Sequence, residues 1–340
     1  MRQKSLIALL AVTLVAAVLA VFSGLGGGPN SDPRIGHPVL TDLAPHLAEI
    51  EQVALMHGES KTTLARHGDR WVVAERNDYP ADAKKLRQLL LGLAALAYVE
   101  PKTKEAKNYP RLEVEDAGAK GSQSTLVTVS GAQGALLGEI IAGKRVTDAL
   151  GGGDDGVYVR KPGDAQSWLA RGTLDLSDTP GWLDPALLDL PAAGVKEVQV
   201  SPPGESPLAI ARDKLEDKFH LAALPKDRKL RGDDALDAVA GALAGLQLTD
   251  VKPDADFAWP KTGESRARFT FFDGLVVTVE LVDLDKTSWA RITATGSGDA
   301  SARARELNAR TAPWVYALPA YKAKLLKTRL ADLLAPAKSS

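Results

Sequence analysis

Two long stretches of the 340-residue chain read alike and in the same order. The first opens with "VALMH" (53–57), "TTLARH" (62–67) and "WVVAE" (71–75), with Gly68-Asp69 as a hairpin signal between the last two β-prone runs. From 81 to 99 the period turns helical, with Leu86, Leu89, Leu90 and Leu93 on one face and Asp82, Lys84, Lys85 and Arg87 elsewhere. Pro80 and Asp82 suit its first turn, where proline loses no bond and an anion meets the helix dipole. Strands return at "TLVTVS" (125–130), "ALLGEIIAG" (135–143), "GVYVRKPG" (156–163) and "SWLARG" (167–172), and "PGWLDPALLDL" (180–190) closes with a short helical piece.

The same grammar then restarts about 145 residues on. "KEVQV" (196–200), "LAIARD" (208–213) and "KFHLA" (218–222) stand for the first three strands, and "GES" follows the opening strand at 58–60 and again at 204–206. A helix is expected over 233–248, with Leu236, Val239, Ala240 and Leu243 on one face. "RARFTFFDGLVVTVEL" (266–281) is a hairpin around Asp273-Gly274, followed by "SWARITATG" (288–296). The tail from Trp314 to Leu334 parallels the stretch from Trp168 to Leu190. The expected fold is α+β: two tandem repeated modules of antiparallel β-meander plus amphipathic helix, over 49–193 and 194–335, with a disordered tail at 336–340.

Ahead of both lies "LIALLAVTLVAAVLAVFSGL", residues 6–25, uncharged for about 20 residues, the length that spans roughly 30 Å of hydrocarbon as a helix. Residues 1–25 are therefore read as one N-terminal transmembrane anchor. A cleaved signal peptide is the alternative, disfavoured because its apolar core would be shorter and its cleavage site would fall at Ala20, inside the run. Arg2 and Lys4 put the N-terminus in the cytoplasm, so the bulk of the chain is expected in the periplasm on a single-pass inner-membrane protein. The Gly- and Pro-rich stretch 26–48 reads as a flexible tether.

Composition narrows the chemistry. Forty-two Lys and Arg against 43 Asp and Glu give a net charge of −1, with no field to gather nucleic acid. With no Cys there is no disulfide, thiolate nucleophile or lipidated cysteine.

"GEIIAGKR" (138–145) mimics a phosphate loop, Gly138 and Gly143-Lys144, but Arg145 replaces the hydroxyl residue and the glycines fall in a strand run, so no nucleotide site is expected. "GGGDDG" (151–156) with Asp148 lacks the ligand spacing of a Ca²⁺ loop and reads as a hairpin tip. The histidines, His37, His46, His57, His67 and His220, hold no zinc spacing; His57 and His67 alone could meet across the first meander. "GSGDAS" (296–301) lacks a nucleophile-elbow pattern and leads into a helix starting near Ala300, while Asp233 and Asp234 are helix-start charges. No catalytic, cofactor-binding or metal-ligating residue is assigned, and no cofactor is expected. Of the tryptophans Trp71, Trp168, Trp182, Trp259, Trp289 and Trp314, Trp168 and Trp314 hold matching places and are expected to share a packing role. A helix over 321–334 sets Lys322, Lys324, Lys327 and Arg329 beside Leu325, Leu326, Leu330 and Leu333; packing on its own module is favoured over lying on a membrane.

"RWVVAERNDYPADAKKLRQLLLGLAAL", "LGEIIAGKR", "GVYVRKPGDAQSWLARGTLDL" and "WLDPALLDLPAAGVKEVQV" together resemble the bacterial family called domain of unknown function 4340. The likeness runs from Glu49 to about Val200 and, more weakly, over the second module. The resemblance implies an envelope protein with one N-terminal membrane segment, in some members an auxiliary part of a gliding-type ABC transport system, and it supplies no catalytic residues. The expected function is a non-enzymatic, membrane-anchored periplasmic scaffold or binding protein with the inner membrane, ABC-type transporter subunits or other envelope proteins as partners, and neither nucleic acid nor nucleotide. The alternatives are an exported hydrolase with carboxylates between the modules, or a protein that binds lipid or polysaccharide.

Overall fold

The computed structural model describes residues 32–224, 228–232 and 234–336. The anchor reading of 1–25, the start of the tether, Asp233 and the last four residues lie outside the described residues. Among the described residues no helix is long and apolar enough to cross a membrane. Two compact units follow one another, Met1–Asp184 and Pro185–Ser340. Both are mostly antiparallel sheet with a few helices, an α+β architecture.

The first unit carries β1 (Gln52–His57), β2 (Ser60–His67), β3 (Arg70–Val73), β4 (Tyr79–Pro80), β5 (Ala97–Pro101), β6 (Thr125–Ser130), β7 (Leu136–Val146), β8 (Gly156–Arg160) and β9 (Ser167–Arg171). Their order in the sheet is β4-β3-β2-β1-β6-β7-β8-β9-β5. Period-2 alternation selects one face: Val53, Leu55, Leu64, Val127, Val129 and Ile140 are all buried. Helix α1 (Ala83–Ala95) joins β4 to β5 and buries Leu86, Leu89, Leu93 and Ala94, and the one-turn α2 (Tyr109–Leu112) follows β5. Asp82 caps α1, its Oδ1 accepting from the amides of Lys84 (3.0 Å) and Lys85 (2.9 Å). The helix stops at Ala95, short of the expected 99, because residues 97–101 form β5 against β9 instead. β-prone Tyr98 pairs with Ala170 there, a ladder position that another helical turn would forgo.

The stretch read as a tether is bound to the sheet from Arg34 on, whose guanidinium stacks on Trp168 of β9. Gly36 donates to Tyr98 O (2.8 Å), Tyr98 to His37 O (3.0 Å) and Val39 to Leu96 O (2.8 Å), so the open edge of β5 is paired. Val39 and Leu43 are fully buried. The apolar "VLTDL" inside a Gly- and Pro-rich stretch outweighs the composition around it.

The second unit begins earlier than 194. β10 (Ala186–Leu188), in a stretch read as helical, pairs with β14 (Leu246–Gln247) and so belongs to the second unit. The main sheet holds β11 (Val195–Ser201), β12 (Leu208–Ala211), β13 (His220–Leu221), β15 (Asp250–Pro253), β16 (Ser265–Phe271), β17 (Leu275–Leu284), β18 (Thr287–Gly296) and β19 (Trp314–Leu318), ordered β13-β12-β11-β16-β17-β18-β19-β15. The helix expected over 233–248 is only Ala235–Ala240 (α3), burying Leu236 and Val239; Gly241 and Gly245 follow, and the chain turns into β14. The expected 321–334 helix is likewise two pieces, α5 (Ala320–Leu326) and α6 (Leu330–Leu333).

Helix α4 (Ala300–Thr311) solves an edge problem. β19 pairs with β18 only at Ser288, Trp289 and Ala290, leaving the rest of that edge of β18 without a strand. Asn308 fills in: its Oδ1 accepts from the Ala294 amide and its Nδ2 donates to Ala294 O, both at 2.7 Å. Thr311 Oγ1 donates to Ile292 O (2.9 Å).

Candidate functional site

Residues singled out in the sequence can now be placed. Gly138 and Gly143 both sit in β7, and the segment after Lys144 runs into a turn and then β8, so no helix N-terminus follows. Gly143 is required for another reason: a Cβ there would lie 2.3 Å from Leu112 O and 2.5 Å from Glu113 O. The chain returning from β5 to β6 crosses directly over the strand at this point.

In the turn after β7, Gly151, Gly152 and Gly153 take left-handed φ of 78°, 70° and 91°. The carboxylates there are used locally. Asp148 Oδ1 accepts from the Gly153 amide (2.8 Å), and Asp155 accepts from the Asp148 amide (3.0 Å) and pairs with Arg145. The Arg145 hydrogen bond, aided by the Asp148 amide, holds the Asp155 carboxyl below the usual range. Asp154 faces Arg171 at 3.6 Å. Among the described residues no three His, Asp or Glu side chains converge as a metal site would need.

His57 and His67 do not meet. They lie at opposite ends of the eight-residue β2, His57 on β1 opposite its first residue Ser60, and His67 as its last residue opposite Arg70 of β3. His57 contacts Ser124 O (3.1 Å), and His67 and His46 face Asp78 (3.7 Å) and Glu49 (3.0 Å). His37 and His220 are exposed. Ser301 Oγ donates to Gly296 O, so "GSGDAS" forms the start of α4.

Sequence reasoning missed one constellation that resembles catalytic chemistry. Lys85 Nζ donates to Ser177 Oγ (2.7 Å) and Gly181 O (2.6 Å), lies 3.4 Å from Asp175 Oδ2, and stacks 4.7 Å from the Trp182 ring centroid. Ser177 Oγ donates to Asp175 Oδ1 (2.6 Å), and Trp182 Nε1 to Ser177 O (2.9 Å). A lysine that activates serine must be neutral, yet this one faces a carboxylate. Burial would raise the Asp175 carboxyl, but the Ser177 hydroxyl and Lys85 ammonium prevail and hold it below the usual range. With the hydroxyl proton on the carboxylate and an ammonium on the oxygen, the cluster is a clamp tying α1 to residues 175–182. A buried Thr62–Thr179 hydroxyl pair (2.7 Å) fastens the same loop to β2. These partners are separated in sequence by about ninety positions, and no local motif announces them.

The second unit has a similar clamp, with Lys327 Nζ on both Asp283 oxygens (2.7 and 2.8 Å) and on Ser288 Oγ (3.0 Å). Lys322 is 7% exposed and donates to Ala242 O (3.0 Å) and Ala244 O (2.5 Å). Burial pushes its ammonium below the usual range, opposed by the Asp189 charge. Arg329 faces Glu205 at 3.2 Å. Three of the four basic residues of the terminal segment are thus engaged inside their own unit.

Each sheet also has an aromatic cover on its outer face. In the first unit Tyr109 and Val114 pack with Ile141 beside Leu112 and Tyr158. Arg160, 4% exposed, stacks 4.6 Å from the Tyr109 centroid and donates to Val114 O (2.8 Å), Asp164 O (3.1 Å) and Asp116 Oδ1 (2.5 Å). In the second, Trp259 and Phe257 lie against Trp289, Arg291 stacks 4.3 Å from Trp259, and Lys252 4.7 Å from Trp289. Trp168 and Trp314 both stand opposite a proline of the edge strand, Pro101 and Pro253. Their packing differs: Trp168 is buried against Tyr98 (4.7 Å) under Arg34 (4.5 Å), whereas Trp314 is only half-buried.

This is the architecture of an α+β protein whose polar clusters brace loops. The chain belongs to the family described as domain of unknown function 4340, which matches residues 71–264. The match starts in β3, later than the sequence resemblance suggested, and ends just before β16, inside the second module over which that resemblance was weaker. No curated protein and no solved structure matches the chain.

Proposed function

We propose that the protein is a non-enzymatic, membrane-anchored periplasmic scaffold or binding protein, made of two tandem copies of one α+β module, serving an envelope complex with ABC-type transporter subunits as partners. The observation that carries this reading is strand order. Leaving aside the two-residue edge strand β4, the first sheet runs β3-β2-β1-β6-β7-β8-β9-β5 and the second β13-β12-β11-β16-β17-β18-β19-β15, the same path element for element. Eight strands have so many permitted orders that duplication accounts for the coincidence better than chance. Both copies lay the segment after the edge strand over the outer face and stack an arginine on its aromatic ring, Arg160 on Tyr109 and Arg291 on Trp259. What the two units share is therefore packing architecture, which favours a surface-presenting role. The uncharged run 6–25 supplies the anchor.

Affinity purification of the full-length protein under membrane-preserving conditions, followed by mass spectrometry, tests the role. Transporter subunits in the eluate are the expected result, and a monomer without partners overturns it. An alkaline phosphatase fusion at the C-terminus should be active, and an inactive one refutes the periplasmic location.

A further inference from the structure

Residues 131–138, "GAQGALLG", form the turn from β6 into β7 and carry no charge. Ala132 through Leu136 are all exposed, Leu136 at 62%. Moving an exposed leucine out of water is favourable, so such a tip is stabilised by an apolar neighbour. Beside it a depression of about 250 Å³ is lined by Leu40, Leu136, Leu137, Glu139, Lys161 and Pro162, among others, with Lys161 and Pro162 exposed. The Lys161–Asp164 turn and the start of the described chain lie together, since Arg34 Nη1 is 3.6 Å from Asp164 Oδ2. The chain therefore enters the first unit at the end of the sheet that presents this tip. The step from Leu25 to Arg34 covers at most about 32 Å of fully extended chain.

From this we infer that the 131–138 tip, with Lys161 and Pro162, rests on the headgroup layer of the same bilayer that holds residues 6–25, Leu136 entering the acyl boundary and Lys161 staying among the phosphates. The inference rests on the anchor reading above. Because the chain is held on the sheet from Arg34, over Trp168 of β9, and from Gly36, bonded to β5, the short link confines the tip near the lipid and makes a weak contact intramolecular, at an effective concentration in the millimolar range. An interfacial leucine beside a lysine that extends to the phosphates is the side-chain pair such a layer accepts.

The chain has no cysteine, so single-cysteine labelling is clean. Ala135→Cys places an environment-sensitive fluorophore on the tip while keeping Leu136, and Thr147→Cys places it in the exposed turn at the other end of β7. The full-length protein is reconstituted in phosphatidylethanolamine/phosphatidylglycerol vesicles and its quenching by aqueous iodide measured. The expected result is several-fold weaker quenching at 135 than at 147, lost when Leu136→Glu is added. Protein that does not float with the vesicles overturns the anchor and the contact together. Protein that floats but is quenched equally at both positions overturns the contact alone. Protection at 135 that is the same in detergent without vesicles assigns the tip to a protein neighbour and also overturns the lipid contact.

Discussion

Gly143 shows how a single residue can be misread from its neighbours in sequence and explained by its neighbours in space. The Gly-Lys pair suggests a phosphate loop, yet the glycine is there because two carbonyl oxygens pass where a Cβ would stand. Gly143→Ala should destabilise the protein by about 3 kcal/mol, since the obstacle is backbone rather than a flexible side chain. Gly118→Ala, at a site with open space and no left-handed φ, should stay within about 0.5 kcal/mol of the parent. Thermal unfolding of the two variants side by side measures the difference. Lys85 makes the complementary point. Lys85→Met leaves Asp175 and the Gly181 carbonyl without their cation and should cost about 2 kcal/mol, whereas Ser177→Ala removes one hydroxyl and should cost about 1 kcal/mol. Denaturant titrations that place Ser177→Ala as the more damaging change would contradict the clamp.

At the level of elements, hydrophobic period and turn chemistry made most strands legible. The run 125–130 was marked by alternation, and Asp273-Gly274 by its turn preference. Helix ends were not legible, because whether a β-prone residue such as Tyr98 continues a helix depends on an open partner strand, here β9. The role of α4 was equally hidden, since nothing in "ELNAR" says that Asn308 will stand in for a strand. Asn308→Ala strips the Ala294 amide and carbonyl of their partners and should cost about 2 to 3 kcal/mol, read as a lowered melting temperature. Amide exchange at Ala294 should rise with it.

Over the whole molecule, acid should weaken both units in the same pH range. Asp175 in the first and Asp283 in the second are each held below the usual carboxylate range by a lysine and a serine hydroxyl against the opposing effect of burial. A depressed folded value means that the unfolded chain takes up protons first, so the stabilisation is complete above the unfolded carboxyl value of about 4 and is lost as pH falls through it and below. Lys322 adds the same sign in a more alkaline window: its ammonium is disfavoured by burial, so stability should rise again with pH as the native side chain releases its proton before the unfolded one. Urea unfolding at pH 7 and pH 3, monitored by the tryptophans in each unit, should show both units weakened at the lower pH; only one unit responding would break the parallel between the clamps.

Sequence alone determined the α+β class, the positions of most strands, the family and the absence of thiol chemistry, because each of these is written in local periodicity, short-range turn preference or plain composition. Tertiary structure decided which residues meet: Lys85 with Ser177, Arg160 with Tyr109, Asn308 with the edge of β18, and residues 36–39 with β5. Those contacts join positions far apart along the chain, and their energy is realised only when the sheet order brings them together, so no local pattern encodes them.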